Sequence, residues 1–332
     1  MMITDKRPDC SILIVNWNTR DLTMRCLKSV FETAGDMCVE VFLVDNGSTD
    51  GSVDAIRECF PNVSVITNAS NVGFSKANNQ AIKNATGRNV LLLNSDTELL
   101  PNALGELINA LDADRIIAAA GPMLLNPDGS VQPSCGSFPN LWSEFLFQSF
   151  LYKILPSPFP LNRRIHPLQQ WKYRRKHFVD WIGGAAMAIP SVVFQRVGFL
   201  DESSFMYGED MDWCWRARSL GYEIQHCPKA SVIHESAASR RNYKRWIRDY
   251  TEATLSFFLH RRSGLSYKIA SIMVVLGSAV RVFMCFFGKA FFRSRSDELQ
   301  QRAAGYKEAM LAGWYGYIGG SADVHVTHEG LK

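Results

Sequence analysis

No G-x-G-x-x-G follows the first apolar run of this 332-residue chain, and neither G-x-x-x-x-G-K-[ST] nor G-x-S-x-G occurs in it. These absences argue against a dinucleotide-dependent dehydrogenase, a P-loop NTPase and an α/β-hydrolase. The eight cysteines (10, 26, 38, 59, 135, 214, 227 and 285) include no C-x-x-C pair. Several sit inside apolar runs and read as small core residues in a reducing, cytoplasmic setting. The opening residues, MMITDKRPDC, lack an apolar h-region, so no secretory signal peptide is expected. A strong charge of one sign is missing as well: the net charge is +4, which gives no reason to expect nucleic acid as a partner. Acids are scarce in one stretch. Between Arg240 and Arg295, Asp249 and Glu252 stand against twelve basic residues (240, 241, 244, 245, 248, 261, 262, 268, 281, 289, 293 and 295). The carboxyl-terminal third is therefore cationic. With 47% hydrophobic and 20% charged residues, the chain can bury a large core as one big domain or two.

What is present is an alternation of strand-length apolar runs with helical patterns. Residues 10 to 15 (CSILIV) lead through Asn16-Trp17-Asn18-Thr19 into a helix over 22 to 34, with Asp21 as its N-cap. Strands over 39 to 44, 63 to 67 and 89 to 93 follow, each with a helix after it: near 52 to 59, over 74 to 85, and one opened by Pro101 at N1. Runs that are apolar throughout, alternating with helices, predict an α/β fold with an open, mostly parallel sheet covered on both faces. After Gly121 the alternation lapses into a turn at Asn126-Pro127-Asp128-Gly129 and an irregular excursion over 138 to 178. Regular structure returns at 181 to 187, then a short helix over 191 to 197, an acidic helix over 209 to 220, and a strand over 230 to 233 ending in His234.

Three acidic motifs punctuate this pattern: Val44-Asp45-Asn46-Gly47-Ser48, Asn94-Ser95-Asp96-Thr97 and Gly208-Glu209-Asp210-Met211-Asp212. Carboxylates at the carboxyl ends of buried strands lie where an open α/β sheet binds its ligand. Asp45 can accept hydrogen bonds from a nucleobase imide or a ribose hydroxyl, or it is a turn residue. Asp96 suits an oxygen-seeking Mg²⁺ or Mn²⁺ bound to a diphosphate, or it caps the next helix. His234 is a second metal ligand or a structural histidine. Asp210 and Asp212 are a general base and its support, or acids drawn to a helix N-terminus by its dipole. Three acids crowded into four residues should raise at least one carboxyl pKa. Trp213 and Trp215 offer apolar surface for a sugar, and the spacing of Asp212 and Arg216 allows a pair on one helical face.

In order and spacing, SILIVNWNT, VDNGSTDGS, NVGFSKANN, LLLNSDTEL, GPMLLNPDGSVQPS, WIGGAAMAIP, FMYGEDMDWCWRARSLGY and VIHESAAS resemble the inverting family 2 glycosyltransferases of GT-A fold, over roughly residues 10 to 262. NPDGSVQPS, GGAAMAIP and FMYGEDMDW look most like the bacterial rhamnosyltransferase subgroup that acts on lipid-linked oligosaccharides of cell-surface polysaccharides. The resemblance implies a nucleoside-diphosphate sugar donor held by Val15, Trp17, Asp45, the Asn71 to Asn79 loop with Gly73, and Ser95. It implies Asp96 on a divalent cation (Mg²⁺ or Mn²⁺), with His234 as a further ligand. Asn94 and Ser95 replace the acid that family members carry before Asp96. It further implies Asp210 as base with Glu209 beside it, Asp212 in support, and Trp181, Gly183 and Gly184 lining the donor-sugar and acceptor site. The reaction implied is one in-line displacement with inversion. A galactofuranosyl or N-acetylhexosaminyl transferase using a UDP-sugar is the alternative within the class. A nucleotidyltransferase and a non-catalytic homologue are the alternatives outside it.

The last segment, 266 to 292, has an uninterrupted apolar core of only Ile269 to Val280, closed by Arg281. That is short of the roughly 20 residues needed to span a bilayer. Its basic flanks suit a helix lying in or dipping into an anionic membrane surface, and the alternative is a buried helical hairpin packed on the main domain. The expected organisation is a GT-A domain over 1–262 and a membrane-associating helical region over 263–332. A polyprenyl-diphosphate-linked or other glycan acceptor would then be met peripherally at the cytoplasmic face of the inner membrane.

Overall fold

The computed structural model describes residues 7–151, 173–202, 208–235, 243–291 and 296–318. Most of the 138 to 178 excursion, the FMY before Gly208, the residues after Glu235, and Arg240, Arg241, Arg293 and Arg295 lie outside the described residues. Two compact units emerge: Met1–Phe138 with Asn162–Glu235, and Pro139–Leu161 with Ser236–Lys332.

The first unit is the α/β unit. Its elements are β1 (Cys10–Asn16), α1 (Arg20–Thr33), β2 (Val39–Asp45), α2 (Ser52–Cys59), β3 (Val63–Thr67), α3 (Phe74–Asn84), β4 (Asn89–Asn94), β5 (Thr97–Leu99), α4 (Ala103–Ala113), β6 (Ile117–Leu125), β7 (Val131–Gln132) and β8 (Cys135–Gly136). After the excursion come β9 (His177–Val179), β10 (Trp181–Ile182), β11 (Ala186–Pro190), the helix Ser191–Val197, the acidic helix Glu209–Ser219 and β12 (Glu223–His234). The main sheet runs β3-β2-β1-β4-β11-β6-β12-β5. Pairs β3-β2, β2-β1, β1-β4 and β6-β12 are parallel, while β11 is antiparallel to both β4 and β6. Ile12, Leu13 and Ile14 are consecutive and all fully buried, so both faces of β1 are covered, as an all-apolar strand requires. Burying each such side chain contributes about 1.5–3 kcal/mol.

Several local expectations shift. The helix after β1 starts at Arg20 with Thr19 at the N-cap, which puts Asp21 inside the first turn. Pro101 lies in a turn closed by Ala103 N–H on Leu100 O (3.0 Å), and Asn102, in the left-handed region at φ 65°, is the N-cap of α4. The strand expected at 230 to 233 is twelve residues long and carries an irregularity between Cys227 and Ser231, where Pro228 cannot donate to the ladder.

The second unit is helical, and it begins before the expected boundary at 262. It comprises α5 (Leu141–Gln148) and the helices Tyr243–Arg261, Gly264–Phe291 and Ser296–Ile318. Ile247, Leu255 and Phe258 join Tyr267, Ala270, Val274 and Ala309 in one core, which ties 243–261 to the later helices. Gly313 permits a close approach of main chain to main chain: a Cβ there would stand 2.8 Å from Ser271 O. The apolar helix does not stop at Arg281. It runs 28 residues, and Gly264–Gly288 is long and apolar enough, by length and composition, to cross a membrane. Arg281 is turned inward and buried, so it does not interrupt the exposed side.

Candidate active site

The carboxyl edge of the parallel strands collects the first two motifs. In the β1-β2 register Asn16 stands opposite Asp45, and in β1-β4 Val15 stands opposite Asn94. Asp45 is buried; its Oδ1 accepts from Asn16 Nδ2 (2.7 Å) and its Oδ2 from Ser48 N–H (2.9 Å). The turn reading of Asp45 is thus realised, in a loop where a Cβ on Gly47 (φ 77°) would fall 2.9 Å from Ser70 Cα. Asn16 Oδ1 accepts from Thr19 Oγ1 (2.7 Å) and Thr23 Oγ1 (2.8 Å), and Thr19 Oγ1 meets Ser95 Oγ at 3.0 Å. Trp17, next to this network, is 47% exposed. Val15 is partly buried in β1.

Asp96 follows Ser95 and faces the end of β12: His234 Nε2 lies 3.2 Å from Asp96 Oδ1. Asn102 takes the cap of α4, so Asp96 does not. One carboxylate oxygen and one imidazole nitrogen form a donor set that fits a divalent cation with positions left for other ligands. Among the described residues no three His, Cys, Asp or Glu gather into a metal group. Diphosphate oxygens would have to complete the shell.

The third motif joins through the main chain. Asn94 N–H donates to Ala185 O (2.9 Å), Gly183 N–H to Ser134 O (2.8 Å), and Gly184 N–H to Asp210 Oδ2 (2.8 Å). Met211 N–H donates to Asp210 Oδ1 at 2.7 Å. Hydrogen bonds and short peptide steps therefore connect Asp45, Asp96 and Asp210 along one edge. Burial raises the Asp210 carboxyl above its ordinary value, opposed by those two N–H donors. Burial, then the neighbouring Asp210 charge, pushes Glu209 up to about 8, and Glu209 Oε2 has no hydrogen-bond partner among the described residues. Gly208, at φ 93°, supplies the left-handed turn that starts this helix.

The remaining expected residues are placed differently. Asp212 Oδ2 pairs with Arg216 Nε at 2.8 Å, as the spacing predicts, and Arg216 also donates to Val197 O and Phe199 O. Trp213 is fully buried with Nε1 on Gly198 O, so it presents no face to a sugar. Trp215 packs edge-on against Phe138. Trp181 is partly buried and donates to Ser137 O (3.0 Å). Asn71 Oδ1 accepts from Gly73 N–H and from Asn46 Nδ2, shaping the loop before α3. Asn79 is buried away from that loop's tip: its amide holds Leu200 and Glu202. Asn16, Thr19 and Gln132 had been assigned no role, although all three sit inside the motifs quoted from the sequence.

Strand-end carboxylates on a largely parallel sheet, with the Gly184 N–H just ahead of the reversed strand β11 donating to the buried Asp210, belong to a glycosyltransferase of GT-A fold. The chain matches Glycosyl transferase family 2 over residues 11–161 and Glycosyl transferase family group 2 over residues 89–294, and it belongs to the family 2 glycosyltransferases. It is 29% identical over 239 residues to the N-acetylglucosaminyl-diphospho-decaprenol L-rhamnosyltransferase of Mycobacterium tuberculosis, covering 68% of this chain and 76% of that one. It is 26% identical over 285 residues to a low-salt glycan biosynthesis hexosyltransferase of Haloferax volcanii, covering 82% and 84%. The mannosyltransferase of Pyrobaculum calidifontis, solved with GDP-Man and Mn²⁺, shares the fold with a TM-score of 0.55 at 16% identity, over 94% of this chain and 88% of that one. GalNAc-T7, solved with UDP, GalNAc and Mn²⁺, matches with a TM-score of 0.53 at 17% identity; 77% of this chain spans about half (51%) of that structure's length.

Proposed function

We propose that this chain transfers L-rhamnose from dTDP-L-rhamnose, with inversion, onto a hydroxyl of a lipid-linked glycan acceptor. The observation that carries the reading is the connected edge from Asp45 through Asp96 to Asp210. The donor and acceptor follow the Mycobacterium tuberculosis relative, whose name specifies both a rhamnosyl group and a diphospho-decaprenol acceptor.

In this reading Trp17 and Asp45, with Val15 and the loop around Asn71 and Gly73, hold the nucleoside, the tryptophan face stacking on the base. Ser95, fixed by Thr19, sits beside the diphosphate. Asp96 and His234 would hold a divalent cation, which supplies charge stabilisation to the departing nucleoside diphosphate. Asp210 accepts the proton of the acceptor hydroxyl as that oxygen attacks the anomeric carbon from the face opposite the leaving group. Burial makes its carboxylate more basic, and the Gly184 and Met211 N–H groups fix its direction. Glu209, held neutral by burial, avoids a second negative charge next to the base. One base and one displacement give inversion. Trp181, Gly183 and Gly184 border the place where sugar and acceptor meet.

The helix Gly264–Phe291 would hold the enzyme at an anionic membrane face. Leu265, Ile272, Leu276, Val280, Phe283 and Phe287 are exposed at three- and four-residue spacing, and Lys268 lies in the same stripe. The opposite face buries Ser271, Ser278 and Arg281, so this helix offers lipid one side and suits an in-plane position better than a spanning one. Sedimentation with vesicles containing anionic lipid checks this: binding that vanishes in L276D/F283D agrees, and binding unchanged by those substitutions overturns it.

The decisive experiment for the reaction is a panel of nucleotide sugars with Mg²⁺ or Mn²⁺, read first by thermal stabilisation. A donor present at 100 times its Kd adds about 2.7 kcal/mol. Stabilisation and turnover by dTDP-rhamnose above UDP-galactofuranose and UDP-N-acetylhexosamines support the assignment. Preference for a UDP-sugar replaces the donor, and silence toward every nucleoside diphosphate ends the reading.

A further inference from the structure

Gln132, on the two-residue strand β7, has its amide fixed on both sides. Nε2 donates to His234 O (3.3 Å) and to Asn126 Oδ1 (3.1 Å), which leaves Oε1 as the atom 2.6 Å from His234 Nδ1. The reverse amide orientation would set a donor NH₂ against Nδ1 and an oxygen against two carbonyl oxygens. A carboxamide oxygen only accepts, so Nδ1 carries the proton. In the neutral ring the lone pair then belongs to Nε2, the nitrogen that faces Asp96 Oδ1 at 3.2 Å. At that distance either a bound cation or a proton on Nε2 lies between the two atoms, and in both cases Nδ1–H stays on Gln132 Oε1.

Asn126 is itself anchored. Its Nδ2 donates to Ser130 Oγ (2.9 Å), its main-chain N–H to Ser130 O (2.8 Å), and Ser130 is held in turn by Asp128 Oδ1. The turn Asn126 to Ser130 thus supports Gln132, and Gln132 supports His234.

We propose that Gln132 is a positioning residue for the cation site: it locks His234 in the Nδ1–H tautomer and ring orientation that present Nε2, beside Asp96, as a metal ligand. The inference rests on the reading of Asp96 and His234 as cation ligands. It gives the Asn-Pro-Asp-Gly-Ser-Val-Gln segment a purpose remote from acceptor contact. Partners of this kind hold a ligating histidine to one tautomer, and removing them lowers metal affinity about 10- to 100-fold.

Two measurements test it. With ¹⁵N-histidine label and the His234 signals assigned by their loss in H234A, long-range ¹H–¹⁵N correlation on the metal-free protein should show His234 as the Nδ1–H tautomer, and Q132L should lose that preference. Calorimetric titration of Mn²⁺ into protein saturated with dTDP or UDP should show about 10- to 100-fold weaker binding in Q132L. Q132E, whose carboxylate still accepts from Nδ1–H, should bind Mn²⁺ more tightly than Q132L. An Nε2–H tautomer in the wild type, or wild-type Mn²⁺ affinity in Q132L with unchanged melting temperature, overturns the proposal. Failure of the wild type to bind Mn²⁺ removes the metal reading instead, and the tautomer measurement still decides what Gln132 does to His234.

Discussion

Arg281 in the helical unit and Glu209 in the α/β unit are buried in opposite ways. In the helical unit the Arg281 guanidinium is surrounded: Nη1 donates to Gln148 Oε1 (2.7 Å) and Gly277 O (3.0 Å), Nη2 to Phe147 O (2.6 Å), and the rings of Phe147 and Phe150 lie 4.7 and 4.3 Å away. In the α/β unit Glu209 is just as buried, but one of its oxygens has no partner among the described residues and the acid beside it is Asp210. A buried charge with several hydrogen-bond partners is compensated. A buried carboxyl short of them, with a like charge beside it, holds its proton more tightly.

Substitutions at these positions break the contrast to different degrees. The largest effect is expected from D210N, which removes the proposed base: kcat should fall about 10³-fold, well beyond what any change in melting temperature explains, although the amide nitrogen cannot accept from one of the two main-chain N–H groups. A loss under tenfold would transfer the proton role elsewhere. R281M comes next. It should cost about 3 kcal/mol in chemical unfolding, because carbonyl and amide oxygens lose their donor and two rings lose their cation. A neutral result would mean that the second unit does not depend on this hub.

The smallest effect concerns pH. The folded Glu209 carboxyl titrates near 8 and the unfolded one near 4.5, so the folded state keeps a proton that the unfolded state releases across that window. Its contribution to stability is fully present below 4.5 and is lost as pH rises toward 8. E209Q is exempt from that loss, so its stability advantage over the wild type should widen by about 1–2 kcal/mol between pH 5 and pH 8. Full linkage for one group is about 1.4 kcal/mol per pH unit, reduced here because Asp210 competes for the same proton. Parallel melting curves at the two pH values check the sign, and a narrowing advantage would reverse the argument.

The amino-terminal half of the α/β unit was legible in the sequence because its strands are mostly apolar runs and each ends in a short polar motif. β1, β2, β3 and β4 fall within a residue of their expected spans. The other half was harder to read. β6, Ile117–Leu125, contains three alanines, a glycine and a proline and carries little strand signal of its own; its pairing with β11 and β12 places it. Asp45, Asp96 and Asp210 stood out through their neighbours, whereas Gln132 did not, since a lone glutamine in a turn-rich stretch signals nothing until His234 lies beside it. Trp213 misled for the reverse reason. An aromatic next to an acidic pair has the same letters whether it faces a sugar or the core.

Because β11 is antiparallel to β6, the end of β6 and the start of β11 lie on the same rim of adjacent strands, and among the described residues between them the short strands β7 and β9 pair back onto β6 and β12. Everything between Leu125 and Ala186 is thereby a cassette with neighbouring attachment points. Lengthening such a loop costs only about 0.6 kcal/mol for each doubling. The cassette contains the Gln132 support and the Gly183-Gly184 strip and contributes 139–161 to the helical unit, while β1, β2 and β4 keep their pairing whatever its length. Drift in this stretch would therefore change what surrounds His234 and Asp210 while leaving the strand ends that carry Asp45 and Asp96 as they were.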